Sequence, residues 1–283
     1  MTGRIVVGLD GSPNSTAAAR WAFAEARRRE ATLEVMTVFG LLVPDDLPDR
    51  PRLVTDRQFA DACARMQHEQ LAGIRDHDVP VITRIESGDP APKLVSAARN
   101  ADLLVVGARG HGGISGLLLG SVSLHCAQRA TCPVTVVPAY VPDAEPGAPV
   151  VVGVDGSPAS KAALHVAAQE ATLRDTHVVA VHAVHWPTLG TDLIRPPDEQ
   201  LVDWGTHLLT GVITPVQADW PDVTFDQRVV PGHPAHVLDA AATTADLLVV
   251  GSRGHSQLTG LLLGSVSLHL LSHARRPTIT VVA

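Results

Sequence analysis

The sequence predicts an α/β protein of two tandem doubly wound domains, each with a five-stranded parallel sheet and about four helices, Rossmann-like in class. Three observations carry this. One segment is written twice: ADLLVVGARGHGGISGLLLGSVSLH from Ala101 and ADLLVVGSRGHSQLTGLLLGSVSLH from Ala245 are identical at 20 of 25 positions. Apolar runs of four to seven residues alternate with helical patterns in both halves, as βαβ units require. Aromatics are only 3% of a chain that is 45% hydrophobic, so the cores must be built from Val, Leu, Ile and Ala. That bias suits parallel strands buried on both faces.

The duplication spans most of the chain. IVVGLDGSP (Ile5–Pro13) returns as VVGVDGSP (Val151–Pro158), ESGDPAPKLVSAA (Glu86–Ala98) returns loosely as VPGHPAHVLDAA (Val230–Ala241), and PVTVVP (Pro133–Pro138) returns as PTITVV (Pro277–Val282). Two domains are therefore expected, 1–140 and 148–283, with a linker at 141–147 inside the Pro-, Gly- and acid-rich AYVPDAEPGAP.

In the first half the patterns place strands near Arg4–Leu9, Leu33–Phe39, Val79–Glu86, Leu103–Gly107 and Val134–Val137. Helices are expected near Pro13–Arg29, Asp56–Asp78, Ala91–Asn100 and Ser121–Ala130. The first helix has a clear start, Ser12 as N-cap and Pro13 at the first helical position, repeated by Ser157 and Pro158. The second half predicts strands near Val150–Val154, His177–His182, Thr224–Val230, Leu247–Gly251 and Thr278–Val282. In such sheets ligands bind beyond the carboxyl ends of strands where the strand order reverses. Asp10 and Asp155 follow strand one and the glycine loops follow strand four. If those strands are neighbours, both signals meet in one crevice per half.

Bulk properties narrow the function. A net charge of −7 argues against non-specific nucleic-acid binding. No stretch of about 20 apolar residues predicts a membrane span. The start MTGRIVVGLDGSP lacks the pattern of a signal peptide, and three cysteines without a CxxC pair suit a reducing compartment; a cytoplasmic location is expected. Cys126 and Cys132 are expected to be small buried hydrophobes.

The glycine loops carry the chemistry. Their spacing is Gly107-x2-Gly110-x9-Gly120-Ser121 and Gly251-x2-Gly254-x9-Gly264-Ser265. The P-loop lysine is absent, Ser121 and Ser265 standing in its place, and the dinucleotide GxGxxG is absent too. An anion here falls to backbone N–H groups, to the hydroxyls of Ser121 and Ser123, and to the dipole of the helix starting at Ser121. Arg109 and Arg253 either reach that anion or are solvated. The competing reading is that the glycines are turns of a duplicated core. Gly107→Ala with Gly251→Ala is expected to lower affinity and leave the fold largely intact. Asp10 and Asp155 also have two readings, ligand-facing carboxylates or caps of the following turn.

The glycine spacing, the DGSP turn after strand one and the GDP turn at Gly88–Pro90 together resemble the universal stress protein family, over both halves. The resemblance implies a tandem member of the ATP-binding branch, with a fold related to adenine nucleotide α-hydrolases and one site per domain. It implies that Asp10 and Asp155 lie on the adenine–ribose side, with Gly8 and Gly153 also among the binding residues, and that backbone near Val38 and Ala183 meets the adenine. Ribose and phosphates would be cradled by Gly107, Ala108, Arg109, Gly110, His111, Gly112 and Gly113 with Gly120, Ser121, Val122 and Ser123. In the second half the set is Gly251, Ser252, Arg253, Gly254, His255, Ser256 and Gln257 with Gly264, Ser265, Val266 and Ser267. The cofactor implied is ATP with Mg²⁺. His233 stands where the family more often has Asp, an exchange expected to matter little.

Of the fourteen histidines, His111 and His255 are candidates to touch phosphate, His125 and His269 are read as packing residues, and His182 and His185 as local to the second half. No HxxxH or HExxH arrangement on a helix is expected. The function expected is an ATP-binding regulator or sensor in stress, growth arrest or dormancy, the alternative a slow ATPase or nucleotide-hydrolysing enzyme. The short terminal strands predict pairing of the two domains with each other through their last strands, and a homodimer of whole chains is a further possibility.

Overall fold

Valine and leucine runs form the inner strands and alanine-rich helices cover them. A computed structural model describes residues 3–40, 56–76, 78–110, 119–185, 197–254 and 263–282. The chain divides into two units, Met1–Tyr140 and Val141–Ala283. The first runs β1 (Arg4–Gly8), α1 (Pro13–Arg28), β2 (Thr32–Phe39), α2 (Asp56–Ala72), β3 (Val81–Ser87), α3 (Pro90–Ala97, then a 3-10 turn at Ala98–Asn100), β4 (Leu103–Gly107), α4 (Ser121–Arg129) and β5 (Val134–Val137). Its strands pair in parallel in the order β3-β2-β1-β4-β5.

The second unit repeats the plan with β6 (Val150–Gly153), α5 (Pro158–Arg174), β7 (Val178–Val184), α6 (Asp198–Asp219), β8 (Phe225–Pro231), α7 (Pro234–Ala242), β9 (Leu247–Gly251), α8 (Ser265–Ser272) and β10 (Thr278–Val281). Its order is β8-β7-β6-β9-β10, again parallel. The doubly wound α/β class read from the sequence is the class observed. The inner strands β4 and β9 are buried nearly end to end, whereas the outer β3 and β8 are mostly exposed. That is why the inner strands are continuous apolar runs and the outer ones carry Arg84, Glu86 and Arg228.

The starts of α1 and α5 follow from the DGSP turns. Gly11 and Gly156 take φ of +90° and +87°, a left-handed conformation that glycine adopts without steric cost. Ser12 and Ser157 then cap, accepting the N–H groups of Ser15 and Ser160 at 3.1 and 3.2 Å. Small residues keep α1 close to the sheet: Ala18, Ala19, Ala22 and Ala26 are wholly buried. One end was misplaced by the sequence. The helix expected to reach Asp78 stops at Ala72, and Asp76 Oδ1 takes the N–H of Asp78 at 3.0 Å. Gly73 and that local side-chain bond compete with a helix here, and β3 begins beyond Pro80.

Each unit also buries a carboxylate. Glu25 is fully buried and accepts from Arg29 Nε at 2.6 Å; Glu170 is fully buried and pairs with Arg174. No helix among the described residues is long and apolar enough to cross a membrane.

Burial pushes the Cys126 thiol up to about 12, with Cys132 nearby adding to the shift, and pushes Cys132 up to about 11. Thiolate is the reacting form, so both should be silent to alkylation at pH 8 in the folded protein. Iodoacetamide followed by peptide mass spectrometry should label Cys63, which is only half-buried, first and alone. Equal labelling of Cys126 in the native state would contradict this packing.

Candidate functional site

β1 pairs with β4 from Ile5↔Leu103 to Val7↔Val105, with β2 and β3 on one side and β5 on the other. The strand order therefore reverses between β1 and β4, and between β6 and β9 in the second unit. A crevice opens at the carboxyl ends of each pair. In the first unit it holds about 340 Å³. Met36 and Val38 at the end of β2, Pro90 and Leu94 of α3, Val106 and Leu119 form apolar walls. Asp10, Arg109 and Ser121 supply polar groups at its rim.

The two sequence signals meet here. Asp10 Oδ1 accepts the Ser12 N–H at 3.0 Å, so the carboxylate does cap its turn. A Cβ placed on Gly110 would collide with Asp10 Oδ2, so the glycine-loop backbone lies directly against the other oxygen. Ser12 Oγ reaches the Arg109 carbonyl at 3.4 Å, tying the start of α1 to the loop. Asp10 thus serves the turn and the crevice at once.

The third component is a helix end. Ser12 and Asp89 cap α1 and α3 with side-chain oxygens, but the N-cap of α4 is Gly120, with no side-chain cap. The first N–H groups of α4, at Ser121, Val122 and Ser123, lie along the crevice. Such groups carry partial positive charge and suit an anion. The whole is an apolar cleft ending in backbone donors, a shape for a flat apolar body bearing an anionic tail.

The second crevice, about 240 Å³, repeats this. Asp155 Oδ1 accepts from Ser157 N at 3.0 Å, Ser157 Oγ reaches Arg253 O at 3.4 Å, and a Cβ on Gly254 would collide with Asp155 Oδ2. Gly264 heads α8 with no side-chain cap. Val181, Ala183, Pro234, Leu238, Val250 and Val266 line it.

A sequence model of the universal stress protein family matches residues 1–138 and 148–281. The chain belongs to the universal stress protein family. It is 36% identical over 286 residues to a universal stress protein of Mycobacterium tuberculosis, covering 97% of this chain and 95% of the relative. One from Mycolicibacterium smegmatis is also 36% identical, with 98% and 96% covered. Among solved structures, a universal stress protein from Archaeoglobus fulgidus superposes with a TM-score of 0.68 at 19% identity, covering 98% of this chain and 97% of that one, a likeness of fold.

Within this tandem universal stress protein, most residues read from the sequence line the crevices. Gly8, Asp10, Val38, Gly107, Arg109, Gly110, Gly120, Ser121, Val122 and Ser123 line the first; Gly153, Asp155, Ala183, Gly251, Arg253, Gly254, Gly264, Ser265, Val266 and Ser267 line the second. Ala108 and Ser252 do not. Both are buried, and their backbones are held by Val137 O and Val281 O at 2.8 and 2.7 Å. His111, Gly112, Gly113, His255, Ser256 and Gln257 lie outside the described residues. Ser123 needs a revised role: its hydroxyl donates to Gly107 O at 2.6 Å, as Ser267 does to Gly251 O at 2.7 Å. The proton expected for an anion is committed to the strand, leaving the backbone N–H.

The apolar walls escaped the sequence reading, because Leu94 or Leu119 looks like any core leucine until the topology places it. Three histidine readings also change. His182 is not merely local. It lines the second crevice and replaces Thr37: Thr37 Oγ1 donates to Leu9 O at 2.8 Å, and His182 Nδ1 meets Val154 O at 2.7 Å. Its Nε2 is buried with no hydrogen-bond partner among the described residues. Next, His269 and His273 do form an HxxxH arrangement at the end of α8, with ring centroids 4.3 Å apart. Finally, His233 is not equivalent to Asp89. Asp89 Oδ1 caps α3 through Ala91 N at 3.2 Å, whereas His233 makes no capping bond to α7.

Proposed function

We propose that each unit binds ATP, with Mg²⁺, and that the protein acts as a nucleotide-responsive regulator in stress, growth arrest or dormancy. The observation that carries this is the convergence, twice in one chain, of an apolar cleft, a strand-end carboxylate and a helix N-terminus without a side-chain cap. The residues fit the ligand. The adenine would lie between the β2 end and α3, against Val38 and Leu94, or between the β7 end and α7, against Ala183 and Leu238. The N–H groups of Ser121–Ser123 and Ser265–Ser267 would hold phosphate, with Arg109 and Arg253 at the rim. Mg²⁺ would be held mainly by phosphate, since it retains waters and takes few protein ligands. The family places the chain among proteins named for stress.

Equilibrium dialysis with ATP and Mg²⁺ should find up to two nucleotides per chain. Absence of binding at millimolar ATP would remove this reading. The lining residues of both crevices include no lysine, which favours binding over P-loop hydrolysis.

A further inference from the structure

The second unit carries a row of imidazoles. His185, just past β7, lies 5.4 Å from His233 at the N-cap of α7; His233 lies 5.5 Å from His236; His236 lies 5.6 Å from His269 of α8; and His269 lies 4.3 Å from His273, all between ring centroids. The row begins at the crevice: His185 is two residues beyond Ala183, and His233 precedes Pro234, both of which line it. Among its described residues the first unit has nothing like it. The matching positions are Gly40, Asp89, Pro92, His125 and Arg129. At the crevice edge the duplicates therefore differ in the sign of charge they can carry. Asp89 is an acid; His185 and His233 are neutral or cationic.

We infer that this row is a proton-tunable rim which strengthens anion binding in the second crevice, relative to the first, as pH falls. The inference rests on the nucleotide reading above. Among the described residues, these groups face the row. From α7 come His233, His236 and Asp239; from α8, His269 and His273; Arg275 Nε sits 3.9 Å from Asp239 Oδ1. Burial first, then His273 and His236, hold His269 below the usual histidine range, and Asp239 opposes them. His269 and His273, stacked with centroids 4.3 Å apart, repel when both are charged, in keeping with the lowered His269. A polyanion in the crevice offsets that repulsion. By linkage, whatever draws protons onto the row must then bind better where protons are plentiful. The rings meet edge-on or tilted except for the stacked His269–His273 pair, and among the described residues no three His, Cys, Asp or Glu side chains are grouped to hold a metal ion.

The test compares the two sites of the same full-length chain, so that titration of ATP itself cancels. Per-site ATP affinities would be measured between pH 8 and 5.5 in wild type and in His233→Asp with His185→Asn. The ratio of second-site to first-site affinity should rise about fivefold or more toward acid in wild type, and stay flat in the variant. A ratio that does not change with pH in wild type overturns the inference. Should ATP bind to neither crevice, the nucleotide reading falls by itself. Inorganic tripolyphosphate then decides the rim: histidine ring NMR should show the His185 and His233 midpoints moving up on its addition, and unmoved midpoints overturn the rim as well.

Discussion

Replacing Arg174 by alanine should destabilise the second unit by about 3–5 kcal/mol, the cost of stranding a buried charge. Glu170 is fully buried, and the Arg174 side chain is only 4% exposed. Arg174 Nη1 donates to the Glu170 carboxylate and, at 3.3 Å, to the Glu170 carbonyl, while Nε donates to Asp246 Oδ2 at 2.8 Å. The guanidinium therefore ties the end of α5 to the residue just before β9. Alanine removes the guanidinium with which the buried carboxylate pairs. Arg29→Ala in the first unit should cost less, because Arg28 Nη1 already lies 3.6 Å from Glu25 and can partly replace it. Urea unfolding followed by tryptophan fluorescence checks the ranking, since Trp186, Trp204 and Trp220 all belong to the second unit and only Trp21 to the first. Equal losses for the two variants would show that Arg28 compensates nothing. Replacing Glu170 and Arg174 together by leucines should cost far less than Arg174→Ala alone, since no fully buried charge is left behind and Asp246, which loses the guanidinium, is 32% exposed.

That pair shows where the sequence stops being readable. Arg174 looks like any helix-ending arginine, and Glu170 like its exposed i−4 partner; only the sheet packed over both makes them a buried pair. The strands and the crevice position were legible for the opposite reason. Inner strands are continuous apolar runs, and Asp10 just beyond β1 and Gly107 at the end of β4 are residue types that an ordinary core would not select. The duplication doubled each signal. The end of α2 was misread because apolar periodicity does not register the side-chain bond of Asp76 to the backbone. The imidazole row was invisible because its members lie up to 88 positions apart, from His185 to His273. Only the neighbourhood of the β7 end, α7 and α8 assembles them, and GHPAH at 232–236 and HLLSH at 269–273 were the local signs.

Gly107→Ala should destabilise the first unit by about 2–3 kcal/mol, as overpacking against an unyielding neighbour does. The sequence alone suggested a harmless fold and a weakened site. The structure reverses the emphasis. A Cβ on Gly107 would stand 2.7 Å from the Asn14 carbonyl carbon and 2.8 Å from its oxygen, and α1 backbone cannot swing aside as a side chain can. Gly251 is held alike, 2.8 Å from Ala159 C and 2.9 Å from Ser160 N. These glycines let the first turn of α1 or α5 lie on the end of β4 or β9, and that contact places Asp10 or Asp155 beside the loop. Gly110 is different. A Cβ there meets only the end of the Asp10 side chain, so Gly110→Ala should cost about 1 kcal/mol of stability, the worth of the Asp10–Ser12 N–H bond that moves with the carboxylate, while displacing it from the crevice. The two substitutions separate fold from site. Thermal unfolding should drop for Gly107→Ala and move less for Gly110→Ala, whereas dialysis against ATP should show weaker first-site binding in Gly110→Ala with the fold intact. An unchanged midpoint in Gly107→Ala would mean that α1 does not rest on β4 as closely as the Asn14 contact requires.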